Sequence, residues 1–423
     1  MKVKAVTLGC KVNAYESEYI LSSFKDRGYE ITNDIADIYI VNTCSVTNTS
    51  DAKSRKVINR LIRENPNSII VVMGCMIEAN KDMEIPGVSL IIGNKDKNKV
   101  VDLVEAYLKD KQTKKILYDN FDDTFEDMFI TNMTSHTRAF VKIQDGCENF
   151  CSYCIIPYTR GKQRSKAPDL VIKEIETLVS NGYKEIVLTG IHTGHYGSDL
   201  QTTFPDLLKR IVKINGLERL RISSIEITEL NDEFFEVLKA NPIIVSHLHI
   251  PLQAGSDTVL QAMNRKYLTN YFEAKVKKIR EIRPDISLTT DVIVGFPGET
   301  EEEFQETLDF VSKIKFTKVH VFPYSRRKGT KADTMPNQIP ENIKKERVKR
   351  LIDLSNKLEK EYLDLFLNKE VEVLIEECID NISYGHTSNY LYVKINKQYQ
   401  QEDIVKVKII DILNYDLEGE IVK

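Results

Sequence analysis

No apolar run in the 423 residues is long enough to cross a bilayer: the longest, such as Ile69 to Met73, stop far short of the roughly 18 residues a membrane helix needs. Met1-Lys2-Val3-Lys4 leads into no signal-like apolar core, so a soluble, cytoplasmic protein with no membrane partner is expected. Cysteine is scarce and odd in number, seven in all. Without a secretory signal this argues against a disulfide framework and leaves the thiols for metals or catalysis. Strong net charge is also lacking: 59 Lys and Arg against 63 Asp and Glu leave −4, which argues against indiscriminate binding to nucleic acid. The charge is nevertheless uneven. Residues 313 to 350 hold twelve Lys or Arg and three Asp or Glu, and the run Arg326-Arg327-Lys328 through Lys331 suits backbone phosphates.

The pattern along the chain changes twice. Val3 to Leu8, Ile38 to Val41 and Ser68 to Met73 read as strands, with amphipathic stretches Ala14 to Arg27 and Ala52 to Glu64 between them. That alternation predicts an α/β domain with a parallel sheet over residues 1–110. Asn13 followed by Glu16 reads as an N-cap and its reciprocal partner. Residues 111–134 are acidic and aperiodic, as a linker is. Over 135–367, six strand-like runs (Ala139 to Gln144, Glu185 to Thr189, Arg219 to Ser223, His247 to Ile250, Ile286 to Val294, Thr317 to Phe322) alternate with helical segments and predict a partial (β/α)6 barrel. Lys344 to Leu367 has the spacing of a long helix. Residues 368–423 show short alternating strands (Val371 to Ile375, Asn389 to Ile395, Ile404 to Ile410, Gly419 to Val422), the texture of a small β-barrel of OB type.

Cys147, Cys151 and Cys154 form Cys-x3-Cys-x2-Cys just past the first strand of the barrel-like part. Three thiolates hold three irons of a [4Fe-4S] cube and leave the fourth open to another ligand. A structural zinc site is the competing reading, but zinc prefers four ligands in paired spacing. Cys10, Cys44 and Cys75 each follow a strand of the N-terminal domain, 34 and 31 residues apart. In a parallel sheet those strand ends share one edge, so the three thiols converge and predict a second cluster with an open iron. Cys378, without partners in sequence, reads as an ordinary core thiol. At the ends of later barrel strands, Thr189 and Gly190, Glu226 and Gln253 fall on the rim where βα barrels place their sites.

Several long motifs in order resemble the radical-SAM methylthiotransferase family: Thr7 to Asn13 (Thr-Leu-Gly-Cys-Lys-Val-Asn), Asn42 to Thr47, Asp145 to Pro157, Arg160-Gly161, His249 to Ser256, Asp291 to Thr300 and Tyr324-Ser325. The resemblance implies an N-terminal domain with an auxiliary cluster, a radical-SAM barrel and a C-terminal RNA-binding TRAM domain. It implies two [4Fe-4S] clusters and S-adenosyl-L-methionine, which serves both as methyl donor and as source of a 5′-deoxyadenosyl radical. An electron donor such as flavodoxin or ferredoxin and a sulfur source are implied as partners. By the same resemblance Tyr153, Ile293 and Gly295 lie near the adenine of the cofactor. Leu8-Gly9-Cys10-Lys11-Val12-Asn13 is similar to the branch acting on N6-threonylcarbamoyladenosine beside the anticodon of tRNA. Ala14, Met76-Ile77-Glu78 and Lys166 depart from that branch's usual residues.

For RNA, Tyr384, Tyr390, Tyr392 and Tyr399 beside Lys394 and Lys397 offer stacking faces and charge. His192, His195, His247 and His249 are read as structural rather than catalytic. Four other functions stay open: methylthiolation of isopentenyladenosine, methylthiolation of a ribosomal protein, RNA binding by a zinc-bearing protein, and electron transfer by a two-cluster carrier. A carrier, however, saturates each cube with four cysteines, and neither trio has an evident fourth.

Overall fold

A computed structural model of the chain describes residues 1–423 except 82, 111–115, 118–123, 134–136 and 423, so much of the 111–134 linker lies outside the described residues. The N-terminal part is a six-stranded, all-parallel sheet in the order Glu30–Ile31, Lys2–Thr7, Ile38–Thr43, Ile69–Gly74, Leu90–Ile92, Ile116–Leu117. Ile38–Thr43 and Ile69–Gly74 are buried at every residue, as central strands covered on both faces must be. Helix Asn48–Glu64 starts on Thr47, whose hydroxyl accepts the Ser50 N–H at 3.1 Å.

Helix Lys11–Asp26 starts differently from its sequence pattern. Its N-cap is Cys10, with no side-chain cap. Asn13 and Glu16 are inside the helix and buried: Asn13 Nδ2 donates to Leu8 O at 2.7 Å and Thr43 O at 3.0 Å, and Glu16 serves an ion cluster described below. A capping pair belongs in solvent at a helix entrance; these two residues are drawn inward by partners from other elements.

The middle of the chain forms two three-stranded parallel sheets, ordered Arg219–Ile222, Glu185–Thr189, Ala139–Lys142 and His247–His249, Ser287–Val294, Lys318–Pro323. A bridge from Leu220 to Ile244 links them into six strands of an open barrel around one large apolar core. Within the linker stretch, Met128, Ile130 and Met133 pack on that core. Lys166 holds this segment, its ammonium on Met128 O and Glu174 Oε2, both at 2.6 Å. Helix Glu341–Asp364 lies along Lys318–Pro323, and its Ser355 hydroxyl accepts the Val319 N–H at 3.0 Å.

The C-terminal part is a closed barrel of Glu370–Ile379, Ile382–Thr387, Tyr392–Ile395, Asp416–Ile421 and Ile404–Leu413. Strand Ile382–Thr387 has no apolar period because its inward residues are Ser383, Gly385 and Thr387. A Cβ at Gly385 lies 1.9 Å from Leu374 O, so only glycine lets the two strands approach. Cys378 is exposed, not a core thiol: it lies beyond the register shift at Ile375/Glu377, where the strand runs into solvent.

Arg219 donates to His386 O and Glu372 O at 3.1 and 3.0 Å, and Arg138 pairs with Glu376, so the C-terminal barrel is docked on the central one. Arg327, expected on the phosphate-binding loop, is buried instead. Its guanidinium binds Asp51 at 2.8 Å, Asn48 at 2.9 Å and Ser45, tying the loop to the N-terminal sheet. Much of the remaining basic run is also committed: Lys344 and Arg347 are buried, the latter on Glu299 at 2.6 Å. Exposed Lys328 and Lys331 remain for backbone contact.

Candidate active site

Cys10, Cys44 and Cys75 each follow the carboxyl end of a parallel strand. They are electrostatic neighbours of one another, as three residues on one sheet edge should be. Two glycines make this approach possible. At Gly9 (φ +105°) a Cβ meets Cys44 Cβ at 2.7 Å and its Sγ at 2.9 Å; at Gly74 (φ +103°) it meets Thr43 O at 2.6 Å. Both conformations are ones that side chains avoid. Asn94 Nδ2 donates to Cys75 Sγ at 3.4 Å.

Cys147, Cys151 and Cys154 sit on a loop after Gln144–Asp145, and the Cys154 N–H bonds Cys151 O at 2.9 Å. Gly146 (φ +75°) permits the turn: a Cβ there lies 1.9 Å from Lys162 O. Arg265 Nη1 donates to Cys151 Sγ at 3.3 Å, and His192 Nδ1 stands 3.9 Å from Cys147 Sγ with Glu229 on its other side.

All seven thiols are free. Burial pushes the Cys44 thiol up to about 11 and Cys154 up to about 12. These thiols are protonated at neutral pH unless a metal replaces the proton. Soft thiolate donors in two sets of three, with Cys378 exposed on another barrel, fit iron–sulfur cubes with one iron open. A four-ligand structural zinc site has no fourth cysteine in either set among the described residues.

One cavity of about 840 Å³ is lined by Cys147, Cys151 and Cys154 and, from the N-terminal trio, by Cys10, while Cys44 and Cys75 are buried outside its wall. Tyr153, Thr189, Gly190, Glu226 and Gln253 line it too, so five of the seven expected cofactor contacts are brought together. Ile293 and Gly295 are not in the wall. Ile293 continues the Thr289–Asp291 row along its strand but packs on the core, and Gly295 is covered by Lys344 and donates its N–H to Glu299 at 2.6 Å. Of the tyrosines, Tyr390 and Tyr392 reach the cavity. Tyr390 is exposed at one side, but its ring already stacks with His247 and His386 at 5.1 and 4.6 Å and has Arg138 and Arg221 at 5.0 and 4.8 Å.

Behind the cavity lies a fully buried ion cluster joining the two sheets. Glu16 binds Arg160 and Lys142, each at 3.0 Å, and Lys97; Asp145 binds Arg160 at 3.0 Å and Lys142 at 2.6 Å. Burial alone opposes ionisation of Glu16, but Arg160, then Lys97 and Lys142, hold its carboxyl well below the usual range. Arg160 Nη2 also donates to Asn13 Oδ1 at 2.7 Å, next to Cys10, while Asp145 precedes the Gly146-Cys147 turn. The cluster therefore fixes one trio relative to the other. Sequence reasoning missed Arg265 and the role of Glu16. Arg265 carries no periodic or motif signal and is recognised only by its contacts with Cys151 and Glu226.

A partial parallel barrel with a three-cysteine loop beside an open cavity defines a radical-SAM enzyme. Residues 141–311 match the radical SAM superfamily, and residues 2–93 match a family described as uncharacterized protein family UPF0004. The chain is 46% identical to the Bacillus subtilis threonylcarbamoyladenosine tRNA methylthiotransferase MtaB, covering 96% of this chain and 92% of that one. It is 37% identical to the Aquifex aeolicus protein of the same name (97% and 100% covered) and 36% identical to the Acetivibrio thermocellus tRNA-2-methylthio-N(6)-dimethylallyladenosine synthase (99% and 90%). Among solved structures, the radical S-adenosylmethionine methyltransferase TsrM of Kitasatospora setae shares the fold, with TM-score 0.56 and 14% identity over 76% of this chain and 74% of that chain. The chain belongs to the radical-SAM methylthiotransferase family, whose enzymes use a [4Fe-4S] cluster and S-adenosylmethionine. No helix among the described residues is long and apolar enough to cross a membrane.

Proposed function

We propose that the protein adds a methylthio group to C2 of N6-threonylcarbamoyladenosine on the 3′ side of the anticodon in tRNA. The reading rests on one observation above the rest: the cavity lined by Cys147, Cys151 and Cys154 is also lined by Cys10, which belongs to the second three-cysteine set. In this reading Cys147, Cys151 and Cys154 hold the cluster that binds S-adenosylmethionine, and Cys10, Cys44 and Cys75 hold the auxiliary cluster. When bound, the first group supplies a hydrogen-abstracting radical and the second the sulfur.

The chain's own residues do the rest. Arg265 donates to Cys151 and pairs with Glu226, fixing the cofactor side of the cavity; Tyr153, Thr189, Gly190 and Gln253 shape that wall. The buried Glu16–Arg160–Asp145 cluster ties the helix that follows Cys10 to the turn that precedes Cys147, which holds the two cysteine sets in a fixed relation for positioning a nucleobase. Residues 1–110, 135–367 and 368–423 act as auxiliary-cluster, radical and RNA-binding domains, with 111–134 joining the first two. An anticodon-loop base can be unstacked for about a few kcal/mol, which suits a site that must reach a ring carbon. The choice of threonylcarbamoyladenosine over dimethylallyladenosine is supported by the 46% identity to the Bacillus subtilis relative named for the former, against 36% to the Acetivibrio thermocellus relative named for the latter. An electron donor of the flavodoxin or ferredoxin type and a sulfur source complete the reaction in the cytoplasm.

Iron counting tests the assignment. Replacing Cys147, Cys151 and Cys154 with Ala should halve iron per chain and abolish cleavage of S-adenosylmethionine. Replacing Cys10, Cys44 and Cys75 should also halve the iron but leave reductive cleavage working. Full iron in the second variant would overturn the auxiliary site.

A further inference from the structure

The cavity wall away from Arg265 carries positive charge that the cluster-binding roles do not use. Lys11, directly after Cys10, is exposed to the cavity and has no hydrogen bond or ion pair among the described residues. Its electrostatic neighbours are Tyr390, Arg138 and Arg221. Arg221, 2% exposed, spends Nε on Glu185 at 2.6 Å, but its Nη2 is buried without a partner. His247, 6% exposed, uses Nε2 on Thr289 at 3.1 Å and leaves Nδ1 buried without a partner. Of the acids on the wall, Glu226 has Arg265, Glu359 has Lys318 and Asp291 lies 3.3 Å from His249, while Asp416 has no ion pair among the described residues. Tyr390 covers this group, its ring 4.8 Å from the Arg221 Cζ and 5.1 Å from the His247 ring.

A buried donor without a partner is destabilising, more so when charged, so its persistence points to a ligand that satisfies it. Arg221 Nη2 beside an uncommitted ammonium describes a site built for an oxyanion, and His247 Nδ1 adds a donor in the tautomer whose Nε2 accepts the Thr289 hydroxyl. The group is assembled from all three parts of the chain: Lys11 from the N-terminal helix, Arg221 and His247 from adjoining barrel strands, and Tyr390 from the C-terminal barrel. It borders the N-terminal cysteine set through Cys10. An adenosine with C2 between the two cysteine sets projects its N6 substituent toward another part of the same cavity. The threonylcarbamoyl substituent ends in a carboxylate, whereas the dimethylallyl substituent is apolar and offers no charge.

We propose that Lys11, with Arg221 Nη2 and His247 Nδ1, binds the carboxylate of the N6-threonylcarbamoyl group and thereby selects this substrate. The inference rests on the function proposed above and names the group within it that carries specificity. A carboxylate and a backbone phosphate share the chemistry these donors recognise, so the test separates them.

Full-length, anaerobically reconstituted enzyme is assayed on three anticodon stem-loop RNAs. They carry threonylcarbamoyladenosine, its carboxylate methyl ester, or dimethylallyladenosine at the same position. Binding is read by anisotropy and turnover by nucleoside mass spectrometry. Wild type should favour the free acid over the ester by about 10- to 100-fold, the range of one charge-assisted hydrogen bond set. Lys11→Met should lower that preference to within about threefold with iron content unchanged, and Lys11→Arg should restore it. An unchanged preference in Lys11→Met overturns the proposal. Equal weakening on acid and ester, with a salt slope reduced by about one, overturns it in favour of a phosphate. Wild type that turns over only the dimethylallyl stem-loop instead refutes the proposed substrate itself.

Discussion

Replacing Glu16 with Gln removes the one carboxylate shared by three buried cations. Arg160 and Lys142 each lie 3.0 Å from it and keep Asp145 as a second partner, but Lys97 has no other ion pair among the described residues. The variant leaves Arg160, Lys142 and Lys97 with Asp145, which Arg164 also shares, and Glu126 as their remaining acidic neighbours. Breaking a buried pair costs about 3–5 kcal/mol, and the amide oxygen retained by Gln places the expectation near the lower end, about 3 kcal/mol. Urea denaturation followed by far-UV circular dichroism is suitable because the chain has no tryptophan. Since the native carboxyl is held far below its ordinary value of 4.5, its stabilisation is present above that pH and lost as the pH falls below it. The difference between wild type and variant should thus be flat from about pH 8 to 5 and shrink below about pH 4.5. Adding Lys97→Met should recover part of the loss by removing the orphaned cation. A Glu16→Gln protein within about 1 kcal/mol of wild type at pH 7 would refute the claim that this cluster holds the two sheets together.

Gly9→Ala forces a side chain into the positive-φ position and onto Cys44, so about half the iron should be missing after reconstitution, and a full complement contradicts the packing argument. Arg327→Ala should destabilise the protein by about 3 kcal/mol while leaving the salt dependence of tRNA binding unchanged. Lys328→Ala with Lys331→Ala should do the reverse, reducing the salt slope with stability within about 0.5 kcal/mol of wild type, as exposed substitutions do. A reduced salt slope for Arg327→Ala in a protein of normal stability would place that arginine on RNA.

The clearest signals in the sequence were those imposed by local chemistry. Three thiols in Cys-x3-Cys-x2-Cys need only one loop, and a cysteine after each of three parallel strands needs only the shared edge of a sheet. What stayed hidden depends on partners distant in sequence. Asn13 and Glu16 have the residue types and spacing of a helix cap, but Thr43 and Arg160 draw Asn13 inward and Lys97, Lys142 and Arg160 draw Glu16 inward, partners 30 to 147 residues away. Arg327 is indistinguishable in sequence from its exposed neighbours until Asp51 is placed beside it. Strand Ile382–Thr387 escaped notice because its inward face is built of small residues, and Cys378 misled because a register shift breaks the alternation before it.

The central claim concerns the nucleoside. In a strain lacking the gene, digested bulk tRNA analysed by mass spectrometry should contain no 2-methylthio-N6-threonylcarbamoyladenosine, while N6-threonylcarbamoyladenosine accumulates, and the wild-type gene should restore the pattern. Loss of the methylthio-isopentenyl nucleoside, with the threonylcarbamoyl derivative intact, would contradict it.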